Sequence, residues 1–451
     1  MKVSADKHYL VDDADKPFFY LADTAWMLFY HVSREDADFY LQNRRQKGFT
    51  VVMPVMLRES PGTGMRNFYG DSPFVDDDPT RPNEAFFQNV DWVIQRAADL
   101  GLHVAILPTW GDKVGPLWMG DQEPPNFDPT KFGPIIFNTN NARVYGEFLG
   151  RRYREQPIIW VLGGDRNPIG AEYVAVWRAL AEGLRAGDGG RHLMTYHCCS
   201  VGSSSRWLHD ETWLDFNMMQ TTTRWDLDNY NLVLADYNRA PTKPTLDGET
   251  RYEDSHEWFS RLPSHGRRIT AHQVRKAAYN AMLSGALGHT YGCRDVWYFY
   301  APSSEIPPRD VKTHWKKAMD FPGAFQMGYL RKLFTDYPFH KLVPDQERKI
   351  VTHGSGERGA YVPAARADGG AFALAYVPER MPIWVDLRAI ASERVRAVWF
   401  NPRTGAYAWQ GDYVERGVMR FDPPTSDPEP DYVLVLEKSS KGISNENSHL
   451  G

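Results

Sequence analysis

The sequence predicts an α/β protein, a (β/α)8 TIM barrel with a C-terminal all-β sandwich, and three observations carry that prediction. From Phe18 to about Asp336, short apolar runs alternate with longer amphipathic stretches, the signature of parallel strand–helix units. Several of the runs are apolar on both faces, as strands buried on both sides of a barrel wall must be. Beyond about Pro338, short strand-like runs follow one another between turn residues, the pattern of an all-β sandwich. The expected organisation is a barrel over 1–336, a sandwich over 337–438, and a polar, disordered tail over 439–451.

The barrel strands are expected in FFYLAD, FTVVMPVML, HVAILPTW, IIWVLGG, HLMTYH, FNMMQ, KPTLDGE and GHTYG. Helices lie between them. Ser33 is placed to cap SREDADFYLQNRRQKG, with Asp36 three residues on and Gly48 as the stop. In NEAFFQNVDWVIQRAADLGL, Phe86, Val90, Val93 and Ala97 fall on one stripe, and Gly101 ends the helix. Eight strands with intervening helices fit a closed barrel better than an open doubly wound sheet, and no G-x-G-x-x-G opens the first helix. In the second region KIVTHG, GAYVPAARA, GAFALAYV, IWVDLRAI, VRAVWFNPRTGAYAWQG and YVLVLEK are the expected strands.

Composition excludes several function classes. The 451 residues are 42% hydrophobic and 24% charged, as in ordinary soluble proteins. The net charge of -5 is spread over interleaved acids and bases, so no basic surface invites nucleic acid. No H-x-H, H-E-x-x-H or C-x-x-C occurs, so neither a metal nor another cofactor is expected. Cys198, Cys199 and Cys293 are too few and too close to form a disulfide framework, which fits a reducing compartment. No apolar run resembles a signal peptide or a membrane helix, and the expectation is a cytoplasmic protein with no membrane partner. Aromatic residues reach 14%, which serves either a ring-rich core or platforms for sugar rings.

Catalytic groups of a barrel sit where strands run into the following loops. Asp165 follows the fourth strand and Glu249 the seventh. Two carboxyl groups facing each other across a barrel mouth suit glycosidic bond cleavage: one protonates the departing oxygen while the other attacks the anomeric carbon or activates water. Gly163 and Gly164 would let substrate approach Asp165. The competing readings are a helix N-cap for Asp165 and, for Glu249, an ion pair with Arg251 or a neighbouring strand-end base.

ADTAW at 22–26, LPTWGDKV at 107–114, WVLGGDRNP at 160–168, LDGETRYE at 246–253 and GHTYG at 288–292 together resemble the apiosidase-like family of retaining glycoside hydrolases. WFNPRTG at 400–406 is similar to that family's appended β-sandwich, named for collagen binding. The resemblance spans nearly the whole chain in the same order, and WVLGGDRN is its most specific part. It implies a barrel with Asp165 as acid/base and Glu249 as nucleophile. It also implies exo-acting release of a terminal sugar, apiose or a related pentose, from an oligosaccharide or other glycoside. Retention would require the two carboxyl groups about 5–5.5 Å apart.

Around this pair, Asp23 and Trp26 from the first strand end, and Trp110, Asp112 and Lys113 after the third, are expected to contact sugar. Asn167 is expected to orient substrate while Arg166 pairs elsewhere. His197 and Gln220 end the fifth and sixth strands, Tyr252 follows the nucleophile, and Tyr291 and Trp297 line the rim of the eighth. Glu253 is the rival nucleophile. Two other functions fit less well. A non-catalytic sugar-binding barrel has no need of both acids, and an amidohydrolase-type metal barrel needs H-x-H where ADTAW stands.

Overall fold

Eight parallel strands form the barrel wall: β1 (Tyr20–Thr24), β2 (Val51–Met53), β3 (His103–Ile106), β4 (Ile158–Gly163), β5 (Met194–His197), β6 (Asn217–Gln220), β7 (Thr245–Glu249) and β8 (Gly288–Cys293). The computed structural model describes residues 1–59, 66–115, 133–221, 228–257, 267–304, 310–414, 417–425 and 429–439. The expected tail therefore lies, beyond its first residue, outside the described residues. The strands pair in the order β5-β4-β3-β2-β1-β8-β7-β6, each neighbour parallel. Between β5 and β6, Asp215 N donates to Met194 O at 2.9 Å and Thr195 Oγ1 to Phe216 O at 2.7 Å. All strand residues are buried except His103, which is half-buried. Burial on both faces is why these segments read as continuous apolar runs rather than alternating ones.

Each strand is followed by a helix: α1 (Arg34–Gln46), α2 (Glu84–Asp99), α3 (Thr139–Tyr153), α4 (Ala171–Asp188), α5 (Ser205–Leu208), α6 (Asn229–Tyr237), α7 (Ala271–Leu283) and α8 (Pro322–Asp336). Ser33 Oγ accepts the Asp36 amide at 3.2 Å and satisfies an otherwise unpaired donor at the start of α1. On α2 the stripe of Phe86, Val90, Val93 and Ala97 is buried, and Asn83 caps the first turn.

The chain divides into two compact units, Met1–Met282 with Ala286–Arg331, and Leu283–Gly285 with Lys332–Gly451. The second contains β9 (Leu342–Pro344), β10 (Val351–His353), β11 (Ala364–Ala367), β12 (Phe372–Val377), β13 (Ile383–Asp386), β14 (Val395–Asn401), β15 (Ala406–Tyr413), β16 (Val418–Phe421) and β17 (Tyr432–Lys438). One antiparallel sheet runs β9-β11-β12-β17-β14-β15 and the other β10-β13-β16. Alternate residues such as Val395, Ala397 and Trp399 of β14 meet Ile383 and Val385 of β13 in a shared core. β16, VMRF, exposes Val418 and buries Phe421; it has no apolar run to mark it in the sequence.

Candidate active site

At its C-terminal end β4 turns sharply into Gly163, Gly164 and Asp165, with φ of 87°, 125° and 47°. A side chain at Gly164 would lie 2.7 Å from the Trp110 ring, so glycine lets the indole pack against the turn. Asp is among the few residue types with a side chain that accept the left-handed region. Helix α4 starts after Gly170, so Asp165 is not its cap.

On β7 a bulge decides which way each carboxylate points. Met219 pairs with Asp247 but Gln220 pairs with Glu249, leaving Gly248 as the extra residue. Gly248 packs on the Met218 side chain, which any Cβ at that position would force to move. Asp247 accepts hydrogen bonds from Thr221 Oγ1 at 2.9 Å and Asn229 Nδ2, at the start of α6, at 3.0 Å. Glu249, two residues on, is turned the other way. His197 Nε2 lies 2.7 Å from Glu249 Oε2, and His197 Nδ1 lies 4.0 Å from Asp165 Oδ1. Gln220 Nε2 donates to Asp165 Oδ1 at 2.8 Å. One ligand atom each from Asp165, His197 and Glu249 falls within 4.8 Å of the others.

The surroundings drive the two carboxyl groups apart in acidity. Burial and then the charge of Glu249 push Asp165 up to about 6. Burial would raise Glu249 too, but the hydrogen bond and positive charge of His197 outweigh it and hold Glu249 below its usual range. His197 is raised in return: burial lowers it, and its bond to Glu249 reverses the sign. At weakly acidic pH the site therefore holds a protonated Asp165 beside an ionised Glu249.

Rings enclose this pair. Trp26 and Trp110 have centroids 5.1 Å apart, and each lies within 6 Å of the His197 ring, at 5.6 and 5.7 Å. The Tyr252 phenol faces Glu249 and Trp26. Trp297 O accepts the Met27 amide at 2.9 Å, which ties the main chain after β8 to the turn after β1. Among the described residues, Trp110 Nε1, Trp297 Nε1, His197 Nδ1 and Gln220 Oε1 are buried without a hydrogen-bond partner. Such groups are costly to bury unless something polar meets them.

Lys113 Nζ pairs with Asp112 Oδ2 at 2.8 Å and with Gly133 O at 2.9 Å, both side chains being buried. Asn167 Oδ1 accepts the Cys199 amide at 3.0 Å and ties the turn after β4 to the end of β5. Two expected sugar contacts lie elsewhere. Asp23 is fully buried, accepts from Tyr40 at 2.5 Å and sits 3.5 Å from Arg44, both on α1. Its side chain thus leaves the strand on the helix side of the wall. Tyr291 does the same, donating to Glu253 Oε2 at 2.6 Å. Glu253, which also accepts the Gly323 amide at 2.9 Å, is occupied there and is no rival nucleophile.

Sequence reasoning missed Glu59. Arg166 Nη2 donates to Glu59 Oε1 at 3.2 Å; burial, opposed by Arg166 and reinforced by the charges of Asp165 and Asp112, raises Glu59 to about 7. The signal was present, because Arg58 and Glu59 directly follow the second apolar run, as Asp165 follows the fourth.

Asp165, His197 and Glu249 also have the spacing to hold a metal ion. Two of the three would-be ligands are already joined at 2.7 Å, a contact that a coordinated ion would have to part.

Residues 4–341 match the family model described as apiosidase-like, catalytic domain. The chain belongs to the apiosidase-like family. Residues 343–437 of this apiosidase-like chain match a second model, of collagen-binding-type domains of a collagenase. A solved structure named as a glycoside hydrolase is 28% identical, covers 98% of this chain and 97% of its own, and superposes with a TM-score of 0.85. A glycoside hydrolase family 5 protein from Bacteroides vulgatus is also 28% identical, over 97% of this chain and 93% of its own, with a TM-score of 0.84. Among curated proteins none matches. The apiosidase-like chain is thus a glycosidase acting on carbohydrate, and its barrel is that of the glycoside hydrolases. Among the described residues no helix is long and apolar enough to cross a membrane.

Proposed function

We propose that this glycosidase works with retention of anomeric configuration, Asp165 being the acid/base and Glu249 the nucleophile, and that it removes a terminal sugar. The observation carrying this reading is the spacing: an oxygen of each carboxyl group falls within 4.8 Å of the other, close to the separation of retaining enzymes and too short to seat a water between them as inversion requires. In the first step a Glu249 oxygen bonds to the anomeric carbon while the Asp165 proton passes to the departing glycosidic oxygen. In the second step Asp165, now ionised, takes a proton from water. The water oxygen replaces Glu249 at the same carbon. The raised Asp165 and lowered Glu249 suit those starting roles. His197 keeps the nucleophile ionised, and Gln220 fixes the acid. Trp26, Trp110 and Trp297 offer apolar faces, and the unpaired Trp110, Trp297, His197 and Gln220 atoms would meet sugar hydroxyls. The pentose specificity and exo action follow the family, whose name points to apiose.

The test is hydrolysis of aryl glycosides, apiosides among them. Asp165→Asn and Glu249→Gln are expected to lose about 10²–10⁴-fold in rate while staying folded. Variants turning over at the parent rate would remove the assignment. NMR of the first-formed product is expected to show the substrate's anomer, and the opposite anomer would refute retention.

A further inference from the structure

Trp409 has the highest exposure among the large hydrophobic side chains described, at 69%. It stands on β15 with Tyr407, two residues earlier and so on the same face. Across the sheet, Trp409 pairs with Val398 and Tyr407 with Phe400 of β14. Next to Val398 on that face comes Arg396, opposite Glu437 of β17. Tyr337 closes the side, its ring centroid 6.4 Å from that of Tyr407. Together these side chains and Asp336 line a groove of about 450 Å³, the size of a small-ligand site.

We propose that this groove is a second carbohydrate-binding site, separate from the catalytic mouth and selective for neutral glycans. The inference rests on the family's carbohydrate chemistry and not on the roles given to Asp165 and Glu249. A sugar ring has an apolar C–H face and a rim of hydroxyls. Val398, Trp409, Tyr407 and Tyr337 supply the apolar floor and walls. Asp336 and Glu437 supply the rim: each accepts one tyrosine hydroxyl, from Tyr407 at 2.8 Å and Tyr337 at 3.0 Å. A carboxylate has room for further donors, which sugar hydroxyls are. Charge is nearly balanced, with Lys332 and Arg396 facing Asp336, Glu437 and Asp412, so neither a polyanion nor a polycation is favoured. A collagen-like, proline-rich peptide also docks on aromatic grooves. Its prolines present carbonyl acceptors without N–H donors, however, and would leave the Asp336 and Glu437 carboxylates unmet.

The full chain carrying Asp165→Asn, so that the polymer is left intact, is run through native gels containing arabinan, galactan, xyloglucan, polygalacturonate or gelatin. Retardation by at least one neutral polymer is expected. Adding Trp409→Ala should weaken it about tenfold, the usual effect of truncating a central aromatic contact. Trp409→Ala in the otherwise unaltered enzyme should keep circular dichroism and aryl glycoside hydrolysis at parent values, since the side chain is exposed and outside the barrel. The proposal is overturned if no neutral polymer retards the chain, if Trp409→Ala is retarded equally, or if polygalacturonate or gelatin is the retarding polymer. Each outcome is read without reference to catalysis, so it is separable from failure of the catalytic assignment.

Discussion

Replacing His197 with Phe keeps a ring against Trp26 and Trp110 and removes the donor that faces Glu249 Oε2 at 2.7 Å. A hydrogen bond to a charged group is worth about 1.5–3 kcal/mol, and one pKa unit is about 1.4 kcal/mol. Glu249, now governed by burial, should rise by the worth of that lost bond. Asp165 loses only a charge 4.0 Å away and should rise less. On the proposed roles, turnover needs ionised Glu249 and protonated Asp165, so the acid limb of kcat/KM would report Glu249 and the alkaline limb, near 6, Asp165. The acid limb should therefore climb toward the alkaline one, narrowing the bell and lowering its peak. The assay is kcat/KM for an aryl glycoside across acid to neutral pH, with thermal unfolding confirming the fold. An acid limb that stays in place or moves down would refute the idea that His197 sets the ionisation of Glu249.

Asp23→Ala should leave the Arg44 guanidinium, wholly shielded from water, without its partner, at a cost of about 3–5 kcal/mol in urea unfolding. The activity of the folded fraction should equal the parent's; lost activity with unchanged stability would return Asp23 to the mouth. Asp247, pushed up to about 7 by burial, should make stability pH-dependent in the opposite sense to a salt-bridged carboxylate. Between its ordinary value near 4 and about 7, the folded state keeps a proton that the unfolded chain releases. Stability therefore falls as pH rises through that window, by up to about 4 kcal/mol from this group. Asp247→Asn should flatten the fall, as measured by melting temperature against pH, and an unchanged slope would count against a buried neutral carboxyl.

The barrel was legible because its wall is buried on both faces, so several strands stood out as apolar runs closed by a polar residue. Asp165 and Glu249 were singled out by that same rule, and the structure brings an oxygen of each within 4.8 Å of the other. The rule locates a strand end but does not say which side of the wall a side chain takes, and there it failed for Asp23 and Tyr291. Those two leave the wall toward Arg44, Tyr40 and Glu253. At Glu249 simple alternation would have failed too. Asp247 and Glu249 share parity, and only the extra residue at Gly248 turns them to opposite sides. The partnership of Glu59 with Arg166 joins residues 107 positions apart and rests on the path of two loops, which a strand pattern does not encode.

The main chain also dictates which acid position 165 can hold. At φ 47° an Asp or Asn is tolerated, whereas branched or bulky residues would strain the bend. A Glu there would carry its carboxyl one methylene further and crowd the opposing oxygen. The short arm thus belongs on the tight corner and the long arm on the bulged strand. Exchanging the two acids would disrupt both the backbone and the gap, so their division between Asp and Glu is a matter of reach more than of acidity.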